Sequence, residues 1–211
     1  MNAISYHIPD HLLASYVSGS LPHPYAVVVA THVSMCLECR AALEAHQAVG
    51  GAILESTQEV ALSAGLKDSI LAKLDAPIIE KPVHGRTGVY PAPVMQELEG
   101  QQPRWKPVGM GVRQCVLSAS KQGSVRLLYI PGGQAVPDHS HNGLELTLVL
   151  QGSFSDEAGQ FRVGDVEVAD DHVEHTPIAD EGPPCICLAA TDAPVRFTSF
   201  LPRLVQPFIG I

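Results

Sequence analysis

From Ala76 to about Pro103 the sequence loses hydrophobic periodicity and gathers Pro77, Pro82, Gly85, Gly88, Pro91, Pro93, Gly100 and Pro103. Before this stretch, apolar residues recur every three or four positions, as in amphipathic helices. After it, short apolar runs alternate with turns, as in an antiparallel sandwich or barrel. The chain is therefore expected to be multidomain: an N-terminal all-α helical bundle over residues 1–76, a Pro-rich linker over 77–102 and a C-terminal all-β barrel over 103–211. A Pro-rich spacer is semi-extended, so the two parts are expected to be mechanically separable.

In the first part, Pro9 opens a short helix that ends at Gly19, with Leu12, Leu13, Tyr16 and Val17 on one stripe. Tyr25 to about Ile53 reads as helix, bent near Thr31, and carries Val28, His32, Met35, Cys36, Cys39, Leu43 and His46 at helical spacing. Val27, Val29 and Ala30 widen its apolar surface beyond what one small bundle needs, which suits either internal packing or a partner. Leu66 to Leu74 predicts a last short helix with little to pack on. Its Ile70-Leu71-Leu74 stripe suits burial in the groove of another protein, or packing back on its own bundle.

His32-x3-Cys36-x2-Cys39 offers one imidazole and two sulfurs at i, i+4 and i+7, a single stripe of a helix. Structural zinc fills four tetrahedral positions with nitrogen or sulfur, so a fourth ligand must come from elsewhere. His7, His11, His23 and His46 are the candidates. His46 lies seven residues beyond Cys39, roughly 10 Å along the axis at 1.5 Å per residue, which is too far. His7 precedes the first helix, which could fold back on the zinc helix. The alternative is a redox CxxC pair, but such a motif follows a strand, and this one sits in Ala-rich helical sequence.

Five cysteines, two of them at metal spacing, fit a reducing compartment better than a disulfide framework. The N-terminus lacks the basic flank and apolar core of a signal peptide, and no run approaches 18 apolar residues, so a cytoplasmic protein without membrane contact is expected. The net charge of −9 divides as −4, −1 and −4 over residues 1–76, 77–100 and 101–211. Neither domain has the basic face of a nucleic-acid binder, and a basic protein partner is the better fit.

In the β region, Gly133-x5-His139-x-His141-x3-Glu145-x6-Gly152 resembles the first cupin motif residue for residue. Positions 139, 141 and 145 share strand parity and can face one interior. The second cupin motif is kept only at Gly164 and His175, with Asp170, His172 and Ala179 at its other positions. The resemblance implies His139, His141, Glu145 and His175 as ligands of a divalent metal. Three nitrogens and a carboxylate suit Zn, Fe, Mn, Ni or Cu, and zinc is the expected ion. Cys115, Cys185 and Cys187 read as small core residues.

His7 followed by His32-x3-Cys36-x2-Cys39 resembles the zinc-binding anti-sigma factors, and with the cupin the whole chain resembles their ChrR type. That resemblance implies zinc on His7, His32, Cys36 and Cys39, and a non-enzymatic regulator that holds an extracytoplasmic-function sigma factor inactive. It also implies release of the sigma factor on a singlet-oxygen or related oxidant signal sensed through the cupin. Val27, Val28, Val29, Ile70, Leu71 and Leu74 are the expected contact residues. A cupin enzyme of dioxygenase type, with the zinc module as a docking adaptor, is the alternative.

Overall fold

The computed structural model describes residues 3–74, 77, 82–136, 139–140, 143–170, 174–192 and 196–197, with backbone alone at 139–140, 174–175 and 196–197. An N-terminal helical region precedes a C-terminal antiparallel β region. The helices are α1 (Asp10–Val17), α2 (His23–Met35), α3 (Leu37–Glu55), α4 (Leu66–Leu71) and α5 (Ala92–Glu97). Among the described residues no single helix is long and apolar enough to cross a membrane.

The helix expected from Tyr25 to Ile53 is two helices. Cys36 is extended (φ −107°, ψ 115°) between α2 and α3, whose axes bend by 116°, and its sulfur caps α3 by accepting the Cys39 N–H. The reason is axial length. In an unbroken helix, residues 32 and 39 lie about 10 Å apart along the axis, the same separation that excludes His46. Breaking the helix at Cys36 folds the start of α3 back towards His32.

Residues 77–102 are also not extended throughout. Pro91 is the N-cap of α5 and Pro93 lies in its first turn, where proline's fixed φ starts a helix rather than breaking one. Val94 and Met95 are buried, and α5 packs on α2.

The strands are β1 (Lys106–Gly109), β2 (Val112–Ser120), β3 (Gly123–Ile130), β4 (His139–Ser140), β5 (Glu145–Gln151) and β6 (Ser153–Ser155), then β7 (Gln160–Arg162), β8 (Val166–Ala169), β9 (Glu174–His175), β10 (Ile178–Ala179), β11 (Cys185–Thr191) and β12 (Arg196–Phe197). They form a six-stranded sheet in the order β1-β2-β3-β11-β5-β8 and two three-stranded sheets, β10-β6-β7 and β12-β4-β9. The apolar run from Phe161 to Val168 is not one strand: β7 and β8 are separated because Gly164 (φ +96°) turns the chain and Asp165 Oδ2 accepts the Arg162 N–H at 2.8 Å.

Strand alternation gives the large sheet two apolar faces. Val149, Cys185 and Cys187 join Phe154 and Phe161 of the smaller sheet in one cluster. Leu127, Leu146, Leu148 and Leu188 join Val27, Val28 and Val29 of α2 in another. Val28 and Val29 are 0% exposed and Val27 is 6% exposed. Burying each such side chain is worth roughly 1.5–3 kcal/mol, so α2 is held by the chain's own sheet. The helical and β regions thus share a core instead of hanging on a spacer. The three valines expected to meet a partner already have one within the chain.

Candidate metal centre

The ligand atoms of His7, His32, Cys36 and Cys39 all lie within 4.8 Å of one another. His7 arrives just before α1, His32 from the last turn of α2, Cys36 from the break and Cys39 from the first turn of α3. His7 Nδ1 lies 3.4 Å from Cys36 Sγ and 3.6 Å from Cys39 Sγ. A tetrahedral ion with bonds of about 2.3 Å to sulfur and 2.0–2.1 Å to nitrogen sets that edge at about 3.6 Å.

The rings are turned for the same purpose. His32 Nδ1–H donates to the Gly164 carbonyl at 2.9 Å, which leaves the lone pair on Nε2. His32 is 0% exposed and its Nε2 is a buried polar atom without a hydrogen bond. An orphaned buried lone pair costs about 1–3 kcal/mol, and a metal at the cluster removes that cost. His7 is the mirror case: Nδ1 faces the sulfurs, and Nε2 lies 3.5 Å from the Glu38 carboxylate. Burial lowers the His32 pKa to about 4, keeping the imidazole in its ligating neutral form. Burial pushes the Cys39 thiol up to about 11, against a hydrogen bond from the Ile8 backbone that acts the other way. The donor set fits zinc.

Other candidates lie apart from this cluster. His46 Nε2 pairs with Asp10 Oδ1 at 2.8 Å, and His23 Nε2 lies 3.3 Å from the Glu97 carboxylate. Ile70, Leu71 and Leu74 are 53%, 49% and 69% exposed, and no residue of α4 is buried. Val49, Ile53 and Leu54 of α3 are exposed as well.

In the β region, Glu145 opens β5 opposite Ala169 and Thr191, and its Oε1 accepts the Thr147 hydroxyl at 3.0 Å. The β4–β9 ladder sets His139 directly opposite His175. His141 lies outside the described residues, as does His172. Cys185 and Cys187 are buried with their sulfurs 3.4 Å apart, and Cys115 is buried in the core shared with the helices. Tyr25 of α2 donates its hydroxyl to the carbonyl of Leu144, the residue before Glu145, at 2.7 Å. Burial, with the nearby Asp192 carboxylate, raises that phenol's pKa above its ordinary value. Sequence reasoning missed these joints between the two regions. Gly164 stood out only as a cupin-motif glycine, and nothing marked Tyr25.

The ChrR cupin-like domain family matches residues 96–193. The anti-sigma-E factor ChrR of Cereibacter sphaeroides is 52% identical over 212 residues, spanning 99% of each chain. This chain belongs to the ChrR family of anti-sigma factors. A crystal structure of Rhodobacter sphaeroides SigE in complex with the anti-sigma ChrR contains a chain that superposes with a TM-score of 0.81 at 49% identity. The superposition covers 90% of this chain and 100% of that one, so it takes in both the helical and the β region. The resemblance to the ChrR type read from the sequence holds along the chain. The family is one of regulators, which displaces the cupin-enzyme alternative.

Proposed function

We propose that this chain is a cytoplasmic anti-sigma factor that binds and inhibits an extracytoplasmic-function sigma factor. The 52% identity to anti-sigma-E factor ChrR along the full chain carries the reading, supported by the superposition on a chain crystallised with SigE. The N-terminal domain of residues 1–76 is a zinc-dependent helical bundle, and residues 103–211 form a cupin barrel joined to it by residues 77–102. Zinc on His7, His32, Cys36 and Cys39 supplies a four-way cross-link. The chain's own residues do the positioning: Gly164 and Glu38 orient the imidazoles, and the break at Cys36 brings the two thiols to one side.

The sigma-facing surface in this reading is the far half of α3 with α4. Val49, Ile53, Leu54, Ile70, Leu71 and Leu74 are exposed there, whereas Val27, Val28 and Val29 are withdrawn into the sheet. An amphipathic helix whose apolar stripe is exposed suits burial against another protein. The barrel is the sensor of singlet oxygen or a related oxidant, through a divalent metal, zinc by expectation, on His139, His141, Glu145 and His175. The opposition of His139 to His175 across β4–β9 supports that ligand set. Co-expression with SigE tests the reading: the purified chain should carry SigE through gel filtration as a stable complex. Elution of the two proteins apart contradicts it.

A further inference from the structure

Residues 4–6, just ahead of His7, are fastened to the turn between β7 and β8. The backbone N–H groups of Ser5 and Tyr6 both donate to Asp165 Oδ1, at 2.7 and 3.1 Å, and the Val166 N–H donates to the Tyr6 carbonyl at 3.2 Å. The Tyr6 ring lies 4.4 Å from that of Phe161. Ile4 covers Gly164 so closely that a Cβ there would stand 2.6 Å from the isoleucine Cδ1. Asp165 is 3% exposed, and its other oxygen accepts the Arg162 N–H at 2.8 Å. Gly164, the adjacent residue, gives its carbonyl to His32. Two ligands from separate segments are thus both registered on one dipeptide of the β region.

We propose that Asp165 is a positioning residue of the zinc cluster, acting on His7 through Ser5 and Tyr6 while the neighbouring Gly164 carbonyl acts on His32. The proposal rests on the reading of the cluster as a zinc site. Hydrogen bonds to a carboxylate are about twice as strong as neutral ones, and Asp165 accepts such bonds from Ser5, Tyr6 and Arg162, holding the approach to His7 to the turn. Loss of an outer partner of a metal ligand lowers metal affinity about 10–100-fold. Metal retention in the helical region therefore depends on the β region, and movement of the β7–β8 turn reaches both imidazoles.

The test uses the full-length chain loaded with cobalt(II), because a sulfur-to-cobalt charge-transfer band reports only a site with cysteine ligands and ignores a cupin site without them. Asp165→Asn cannot accept from both Arg162 and the Ser5–Tyr6 pair, and Tyr6→Ala weakens the same segment without touching the carboxylate or a ligand. Release of cobalt to excess chelator should be about 10–100-fold faster in Asp165→Asn, with a shifted ligand-field spectrum, and accelerated less in Tyr6→Ala. A lowered thermal midpoint with release rate and spectrum unchanged would mean a merely structural role and overturns the proposal. Should Asp165→Asn not fold, Tyr6→Ala decides, and release at the parental rate overturns it. A parent chain without the charge-transfer band overturns the zinc reading itself, and this proposal with it.

Discussion

His32 uses both ring nitrogens, one on the Gly164 carbonyl and the other, buried and unpartnered, towards His7 and the two thiols. A site built so tightly should fail when any corner is removed. Cys36→Ser or Cys39→Ser is expected to purify without zinc at the cluster and with reduced helicity, since structural zinc is worth about 10–16 kcal/mol in small domains and its loss frees α1 and α3 while α2 stays on the sheet. Metal analysis and circular dichroism check this. The pKa of Cys39, raised to about 11, also gives a sign. The thiol is protonated at neutral pH and must ionise to bind, so zinc uptake should release at least one proton and weaken as pH falls. Calorimetry in buffers of differing ionisation enthalpy measures that release. His32, Cys36 and Cys39 were legible because ligand type and close spacing are local properties, and the resemblance supplied His7. Asp165 was not legible: an acidic residue in a turn gives no sign that it holds a backbone 160 residues away.

Helix α2 and helix α4 illustrate what pattern can and cannot tell. Both are apolar at helical spacing, yet one is covered and the other is bare. Val28→Asp places a charge at a position with no exposure, and its cost of several kcal/mol falls on the fold. It should lower the unfolding midpoint of the whole chain steeply. Ile70→Asp and Leu71→Asp fall on exposed positions and should leave stability within about 0.5 kcal/mol. They should weaken SigE binding by tenfold or more, measured by titration calorimetry. A result in which Val28→Asp folds normally and alone loses binding would return the interface to α2. Helical periodicity identified the apolar stripes correctly but carried no information on which neighbour covers them. The break at Cys36 was hidden for a related reason: it arises from the axial distance a tetrahedral site can tolerate, a three-dimensional limit that spacing on one stripe does not express.

At the scale of the whole molecule, the division into helices and strands was readable from the change of period, and the intimacy of the two regions was not. Val27 to Val29 in one core with Leu127 and Leu188, Tyr25 on Leu144, and His32 on Gly164 join them along the length of α2. If the β region is the sensor proposed above, it has a physical route to the helices. A signal shifts binding only through its differential interaction with the bound and released states. His141→Ala, in a chain that keeps its zinc cluster, is therefore expected to inhibit as the parent does and to lose relief by photosensitised singlet oxygen. A sigma-dependent reporter in cells reads both. Loss of inhibition without the oxidant would instead mark the β region as a structural prop of the helical region.

The most direct measurement is transcription in vitro by RNA polymerase carrying SigE, titrated with the full-length chain in its zinc-loaded form and with the zinc-free Cys36→Ser variant. The zinc-loaded chain should suppress transcription at close to equimolar amounts, and the variant should leave it untouched. Transcription that continues with the loaded chain in excess, or that the zinc-free variant suppresses equally well, contradicts a zinc-dependent anti-sigma factor.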